Sequence, residues 1–182
     1  ARTRAHPRRC PRPGTRGQDF RSSRVSPLPD DLSGITGTGL GMNAHELEQN
    51  PRLGERVVHD VNQGPRLPFD DQSFDAVICT ASVEYLVQPV EVFRELARVV
   101  RPGGPVVMTF SDRWFPTKAI DLWSELHPFE RMGLVLDYFR QSGSFSNLAT
   151  ESSRGLPRPA DDKYAGQRTT ADPVFAVWGE RV

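Results

Sequence analysis

The 182 residues carry 23 basic and 23 acidic side chains, so no net field draws the chain to nucleic acid or an anionic membrane. At this length a single domain can bury a substantial core. No apolar run approaches the roughly 20 residues of a membrane span, and no signal-peptide core follows the first arginines.

The charge is unevenly placed. Residues 1–28 hold eight arginines (Arg2, Arg4, Arg8, Arg9, Arg12, Arg16, Arg21 and Arg24) and one acid, Asp19, so the remainder is net acidic by seven. Residues 1–17 also hold three Pro, two Gly and almost nothing apolar, which predicts a disordered Arg/Pro-rich arm before a folded body at 18–182. The same composition is that of an organelle transit peptide, so organelle import stands as the alternative to a cytoplasmic protein. An arm for nucleic acid lacks aromatics between its arginines to stack on bases. The chain begins with Ala rather than Met, which fits a fragment or a processed product. Cys10 lies in the arm and Cys79 in an apolar run, so a disulfide between them is not expected and both are read as reduced, as inside a cell. Two cysteines cannot make a zinc site unaided, and His6, His45, His59 and His127 lack ligand spacing, so no metal is expected.

Along the body, Ile35–Met42 (ITGTGLGM) is a short strand running into a Gly-rich turn. Asn43 stands as N-cap with Glu46 three residues on, a capping-box-like start to a short helix that Pro51 ends. Arg56–Asp60 is a brief strand closing on an acid, and LPFDDQSF is a turn rich in Asp, Pro and Ser. The β-branched run DAVICTA predicts a strand covered on both faces. Pro89 suits a first helical turn, and Val92, Phe93, Leu96, Val99 and Val100 then recur at helical spacing, with Glu91, Arg94, Glu95 and Arg98 opposite. Gly103 and Gly104 stop this helix before the strand PVVMTF. A further helical pattern runs from Ile120 to Phe139 and stops at Gly143; SFSNLAT and PVFAVWGERV are two last strands around a polar loop. Alternating strands and helices give an α/β layered fold with a right-handed parallel crossover at its centre.

Three of these pieces carry a family resemblance: LPFDDQSFDAV, ELARVVRPGG and DPVFAVWGERV, in this order and spacing. The chain resembles class I S-adenosylmethionine-dependent methyltransferases of the small "methyltransferase type 11" kind, most strongly from Leu67 to Phe110. The resemblance implies a Rossmann-like three-layer sandwich, a mostly parallel sheet with an antiparallel last strand, and S-adenosylmethionine as cofactor. It implies methyl transfer to a small-molecule acceptor, or, as the alternative, a non-catalytic relic or partner-binding domain on the same fold. Neither nucleic acid nor membrane is expected as a partner, and the sequence does not speak to oligomeric state.

In open α/β sheets, ligands bind beyond the carboxyl ends of strands. Mapped residue by residue, the resemblance implies a cofactor contact at Asp19 and Ser22 in the first loop, and at Gly39, Gly41 and Asn43 after the second strand. It implies others at Asp60 and Val61 after the third strand, where an acid meets the adenine amino group, and at Thr80 after the fourth. Two departures stand out. The family's first loop is Gly-rich, whereas DFRSSRVSPLP has no glycine, and Gly41 falls where the family has an acid. The strand ahead of Asp19 would have to come from PRPGTRGQ, which lacks an apolar run.

Each residue also has a plain structural reading: Asp60 as a solvated strand end, Asp19 as a turn cap, Gly39 and Gly41 as turn glycines, Cys79 as core. The catalytic residues are not identified. If the acceptor must lose a proton, Glu84, Tyr85 or a residue of 113–140 are the candidates for a base.

Overall fold

The computed structural model describes residues 34–162 and 164–182. The Arg/Pro-rich arm and the first-loop residues Asp19 and Ser22 therefore lie outside the described residues.

Among the described residues six strands and four α-helices follow in order: β1 (Gly37–Gly41), α1 (Ala44–Glu48), β2 (Leu53–Val58), β3 (Val77–Thr80), α2 (Pro89–Val99), β4 (Pro105–Ser111), α3 (Asp121–Glu125), α4 (Pro128–Ser142), β5 (Phe145–Ser153) and β6 (Val174–Arg181). A single 3-10 turn at Val83–Tyr85 separates β3 from α2. Among the described residues the strands form two sheets: a parallel pair, β1–β2, and a four-stranded sheet in the order β3-β4-β6-β5. β3 runs parallel to β4, β6 runs antiparallel to β4, and β5 antiparallel to β6. Only β6 therefore opposes the other strands of its sheet, which is the antiparallel last strand expected from sequence.

The central crossover forms for the reasons its sequence supplies. Pro89 opens α2, where its missing N–H is no loss, and one stripe of the helix (Val92, Phe93, Leu96, Ala97 and Val99) is buried. Full burial of each large apolar side chain stabilises by about 1.5–3 kcal/mol. In β4 the burial alternates, with Val106, Met108 and Phe110 inward, and Phe175 and Val177 of β6 face the same core. α4 packs against α2 through Phe93, whose ring stands edge-on to Tyr138 and Phe139 at 5.8 and 4.7 Å.

Three details differ from the sequence expectation. The helix α2 ends at Val99, and Val100 already bridges to Phe74 in parallel β fashion, so the two glycines belong to the turn beyond it. Gly103 holds a left-handed φ of 78°, and its N–H donates to the Arg181 carbonyl at the far end of β6. The helical pattern after Ile120 breaks into α3 and α4, because Pro128 begins a new helix behind His127, whose N–H donates to the Glu130 carboxylate at 2.7 Å. Ile78 shares a sheet face with Val107, away from α2 and α4, and is 40% exposed. The described residues thus do not give β3 the cover on both faces that its apolar run predicts.

The polar face of α2 also differs from a solvated one. Arg98 and Glu95 turn inward onto Leu67–Asp71. The Arg98 guanidinium donates to the carbonyls of Leu67 and Phe69 at 3.0 and 2.8 Å and pairs with Asp71 and Glu95, each at 2.7 Å. Glu95 in turn accepts from the Leu67 N–H at 2.9 Å. That hydrogen bonding to Arg98 holds the Glu95 carboxyl below the usual carboxylate range. This clamp fixes the turn that feeds β3.

Gly104 has no room for a side chain. A Cβ there would sit 2.5 Å from a Val100 methyl and 2.6 Å from the Asp75 carbonyl oxygen, and the latter is backbone that cannot rotate away. Gly104→Ala is expected to lower stability by about 1–3 kcal/mol, the range of an overpacked site, measured as a shift of the urea midpoint at constant slope. An unchanged midpoint would show that the turn has slack the packing does not reveal.

Candidate functional site

The parallel pairings bring the carboxyl ends of β1 and β2 together, and separately those of β3 and β4, since Gly41 lies beside Val58 and Thr80 beside Thr109. One side chain joins the two pairs. Asn62, in the turn after β2, donates from Nδ2 to the Tyr85 carbonyl at 2.9 Å and accepts on Oδ1 from the Val87 N–H at 3.0 Å. The turn holding Asp60 and Val61 is thereby fastened to the turn that leaves β3. Sequence reasoning missed Asn62, because its partners lie 23 and 25 residues away.

The expected contact residues fall along this edge in different states. Asp60 is half-buried, and its Oδ1 accepts from the Asn62 N–H at 2.9 Å; its second carboxylate oxygen has no partner among the described residues. Val61 packs against the core. The Thr80 hydroxyl accepts from Thr109 Oγ1 at 2.9 Å. Beyond it Ala81 holds a φ of 49°, a left-handed conformation that costs a non-glycine residue about 1–3 kcal/mol, and its N–H donates to the Thr109 carbonyl at 2.8 Å. Such strain collects where a turn is held for a purpose, and the sequence TAS gives no sign of it.

Gly41 ends β1, and a Cβ there would make ordinary contact with Leu47 Cδ2 at 3.6 Å, without overlap. Gly39 is different: a Cβ would overlap Leu53, so this glycine serves close packing of β1 on β2 and α1. Asn43 caps α1, accepting from the His45 and Glu46 N–H groups at 3.1 and 3.4 Å. Its Nδ2 donates to Glu46 Oε1, so the expected pairing of Asn43 and Glu46 forms between side chains, and its amide is already engaged.

Past this edge the 3-10 turn and the segment after β4 enclose a buried polar cluster. Glu84 is 1% exposed and Arg131, from α4, is 4% exposed. The Arg131 guanidinium lies 3.9 Å from the centroid of the Trp114 ring and 5.7 Å from that of Trp123, and its Nε donates to the Trp123 carbonyl at 2.9 Å. Burial pushes the Glu84 carboxyl up to about 7, against the pull of the Arg131 charge. Burial and the Glu84 carboxylate together push the Cys79 thiol up to about 12, so Cys79 is an inert core residue as its sequence setting suggests. The Tyr85 hydroxyl accepts from the Phe115 N–H at 3.1 Å. Arg131 went unnoticed in the sequence, although it stands four and seven residues before the buried Val135 and Tyr138, on the buried stripe of α4. Among the described residues no group of His, Cys, Asp and Glu is arranged to hold a metal, and no helix is long and apolar enough to cross a membrane.

Residues 33–108 match a family model described as a methyltransferase domain. The ubiquinone/menaquinone biosynthesis C-methyltransferase of Bartonella henselae is 33% identical over 130 residues, 70% of this chain and 48% of that protein. The malonyl-[acyl-carrier protein] O-methyltransferase of a Marinomonas strain is 31% identical over 86 residues, 42% of this chain and 31% of that protein. The chain therefore spans half or less of the length of these curated relatives. A Thermotoga maritima structure, described as a SAM-dependent methyltransferase and possible histamine N-methyltransferase, aligns with a TM-score of 0.56 at 16% identity, covering 80% of this chain and 72% of that one. At that identity the likeness is one of fold.

The raised Glu84 carboxyl has a thermodynamic consequence. Between about 4.5, its ordinary value, and about 7, the folded chain keeps a proton that the unfolded chain has released. The folded state then binds more protons than the unfolded one, so stability falls as pH rises through this window and levels off above it. Melting temperatures of Glu84→Gln relative to the parent chain are expected to show the parent losing ground from pH 4.5 to 7. Parallel profiles would mean that the carboxyl titrates normally.

Proposed function

We propose that this chain, a member of the class I S-adenosylmethionine-dependent methyltransferases, transfers a methyl group from that cofactor to a small-molecule acceptor. The observation that carries the reading is the Asn62 bridge, which gathers the exits of β2 and β3 into one edge with Asp60, Val61, Thr80 and Ala81 along it. Ligands of open α/β sheets bind on this side of the strands.

The residues present fit the cofactor. A half-buried carboxylate with an unengaged oxygen at Asp60 suits an amino-group donor on a purine, and Val61 beside it suits the apolar face of the ring. Gly41 leaves backbone approachable at the end of β1. Asp19 and Ser22, outside the described residues, are proposed to complete the first loop, and Thr80 the far wall. Gly39 and Asn43 contribute through β1 packing and the α1 cap.

When bound, the cofactor supplies an activated methyl on a sulfonium, so the chemistry asks the protein chiefly for position and exclusion of water. Asp60 and Val61 orient the purine end. Asn62 holds their turn against the 3-10 turn, so that the two walls keep a fixed separation. The curated relatives are named for quinone and acyl-carrier-protein acceptors; for this chain a small-molecule acceptor is the corresponding proposal.

Isothermal titration with S-adenosylhomocysteine tests the reading. One-to-one binding is expected, weakened about tenfold by Asp60→Ala through loss of one charge-assisted hydrogen bond. Asn62→Ala is expected to weaken it too while lowering stability by about 1–3 kcal/mol, since it leaves the Tyr85 carbonyl and the Val87 N–H unpaired. No heat at millimolar ligand would favour the non-catalytic reading of this fold.

A further inference from the structure

We propose that the buried cluster of Glu84, Asp112, Trp114 and Arg131 is the acceptor end of the transfer site, taking a small hydroxyl- or amine-bearing nucleophile whose proton passes to the Glu84 carboxylate. The inference rests on the methyl-transfer reading above and names the chemistry of its second substrate.

Four buried side-chain atoms lack a hydrogen-bond partner among the described residues: Glu84 Oε2, Asp112 Oδ1, Trp114 Nε1 and Trp123 Nε1. Each unpaired buried polar atom costs about 1–3 kcal/mol, and these four surround one guanidinium. Arg131 stacks on Trp114, bonds to the Trp123 carbonyl and interacts electrostatically with both Asp112 and Glu84. Two of the four atoms are carboxylate oxygens, which call for a donor. An acceptor that still carries its O–H or N–H supplies one. A thioether or a tertiary amine does not.

The placement suits the role. Glu84 follows the carboxyl end of β3 and Asp112 that of β4, so both stand on the same edge as Thr80 and Ala81. Beside them a polar recess of about 350 Å³ is lined by Asp112, Arg113, Tyr164, Gln167 and Arg168. Asp112 belongs to the recess and to the buried cluster alike, which makes the recess the entry for a small, polar acceptor.

The step balances. The lone pair of the acceptor oxygen or nitrogen forms the new bond to the methyl carbon, while the carbon–sulfur bond breaks and leaves its electron pair on sulfur. The acceptor proton goes to Glu84. The charged and titratable groups around that carboxyl are Cys79 from β3, the adjoining Tyr85 and Arg131 from α4, while Asp112 after β4 faces the same guanidinium. Cys79 remains a thiol throughout, and Arg131 favours the ionised carboxylate that burial opposes. Arg131 is accordingly a positioning residue.

Catechol and benzylamine serve as hydroxyl and amine probes. Each is titrated into the cofactor-free chain by tryptophan fluorescence, then supplied to the chain loaded with S-adenosylmethionine while release of S-adenosylhomocysteine is followed. One probe is expected to bind, and Asp112→Asn to weaken that binding roughly fivefold or more, the loss of one hydrogen bond. Glu84→Gln is expected to lower turnover about 100-fold or more, the usual contribution of a base, with affinity for S-adenosylhomocysteine unchanged. The parent rate should rise with pH through about 7 and the variant's stay flat. Four results overturn the inference: neither probe binds a chain that binds S-adenosylhomocysteine, a bound probe is not methylated, Asp112→Asn leaves binding unaltered, or Glu84→Gln keeps turnover. Failure to bind S-adenosylhomocysteine overturns the methyl-transfer reading itself.

Discussion

β3 and β4 pair in parallel, Val77 to Thr80 against Val106 to Thr109. Two parallel neighbours cannot be joined by a tight turn, so the chain must cross over, and α2 is that crossover. The helix returns the chain to the start of β4 only because its apolar stripe is buried and because Gly104 lets the turn pass close to Asp75. Once β3 and β4 lie side by side, their carboxyl ends coincide. The turn with Glu84 and the segment with Asp112 are then delivered to the same edge.

Polar side chains do the aligning. Arg98 and Glu95 fasten the turn before β3 to α2, and Asn62 fastens the turn after β2 to the 3-10 turn. Both bind backbone groups of irregular segments, which would otherwise have no regular partners once removed from water. The two sheets of the described residues are joined through Asn62 and through Leu40 and Val61, which pack against the main core. A precise edge is thus made from loops.

Most of the elements were legible in the sequence because their signals are local. Pro89 at a helix start, alternation in PVVMTF and the left-handed Gly143 at the end of α4 act within a few residues. The break at Pro128 was equally local, but the apolar spacing on either side masked it. The site was less legible. Arg98 looks like any solvated helix residue until Leu67 and Asp71, 31 and 27 residues away, come into contact with it. Asn62 is the same case. At Gly39 a Cβ would overlap Leu53, a packing demand from 14 residues away that the local sequence does not display. Arg131 could have been found, since a charge at helical spacing with buried Val135 and Tyr138 must itself be buried or break the stripe. Asp19 and Ser22 fall outside the described residues, and their part remains a proposal.

Cofactor and acceptor are proposed to meet at the carboxyl ends of β1–β4. Amide chemical-shift mapping on an isotope-labelled chain during titration with S-adenosylhomocysteine tests it directly. Shifts are expected at Gly41, Asp60 to Asn62 and Thr80 to Ser82, with little change at Gly103, Gly104 and Arg181 on the opposite edge. Shifts concentrated at the Gly103–Gly104 turn, with the Asp60 and Thr80 amides unmoved, would contradict it.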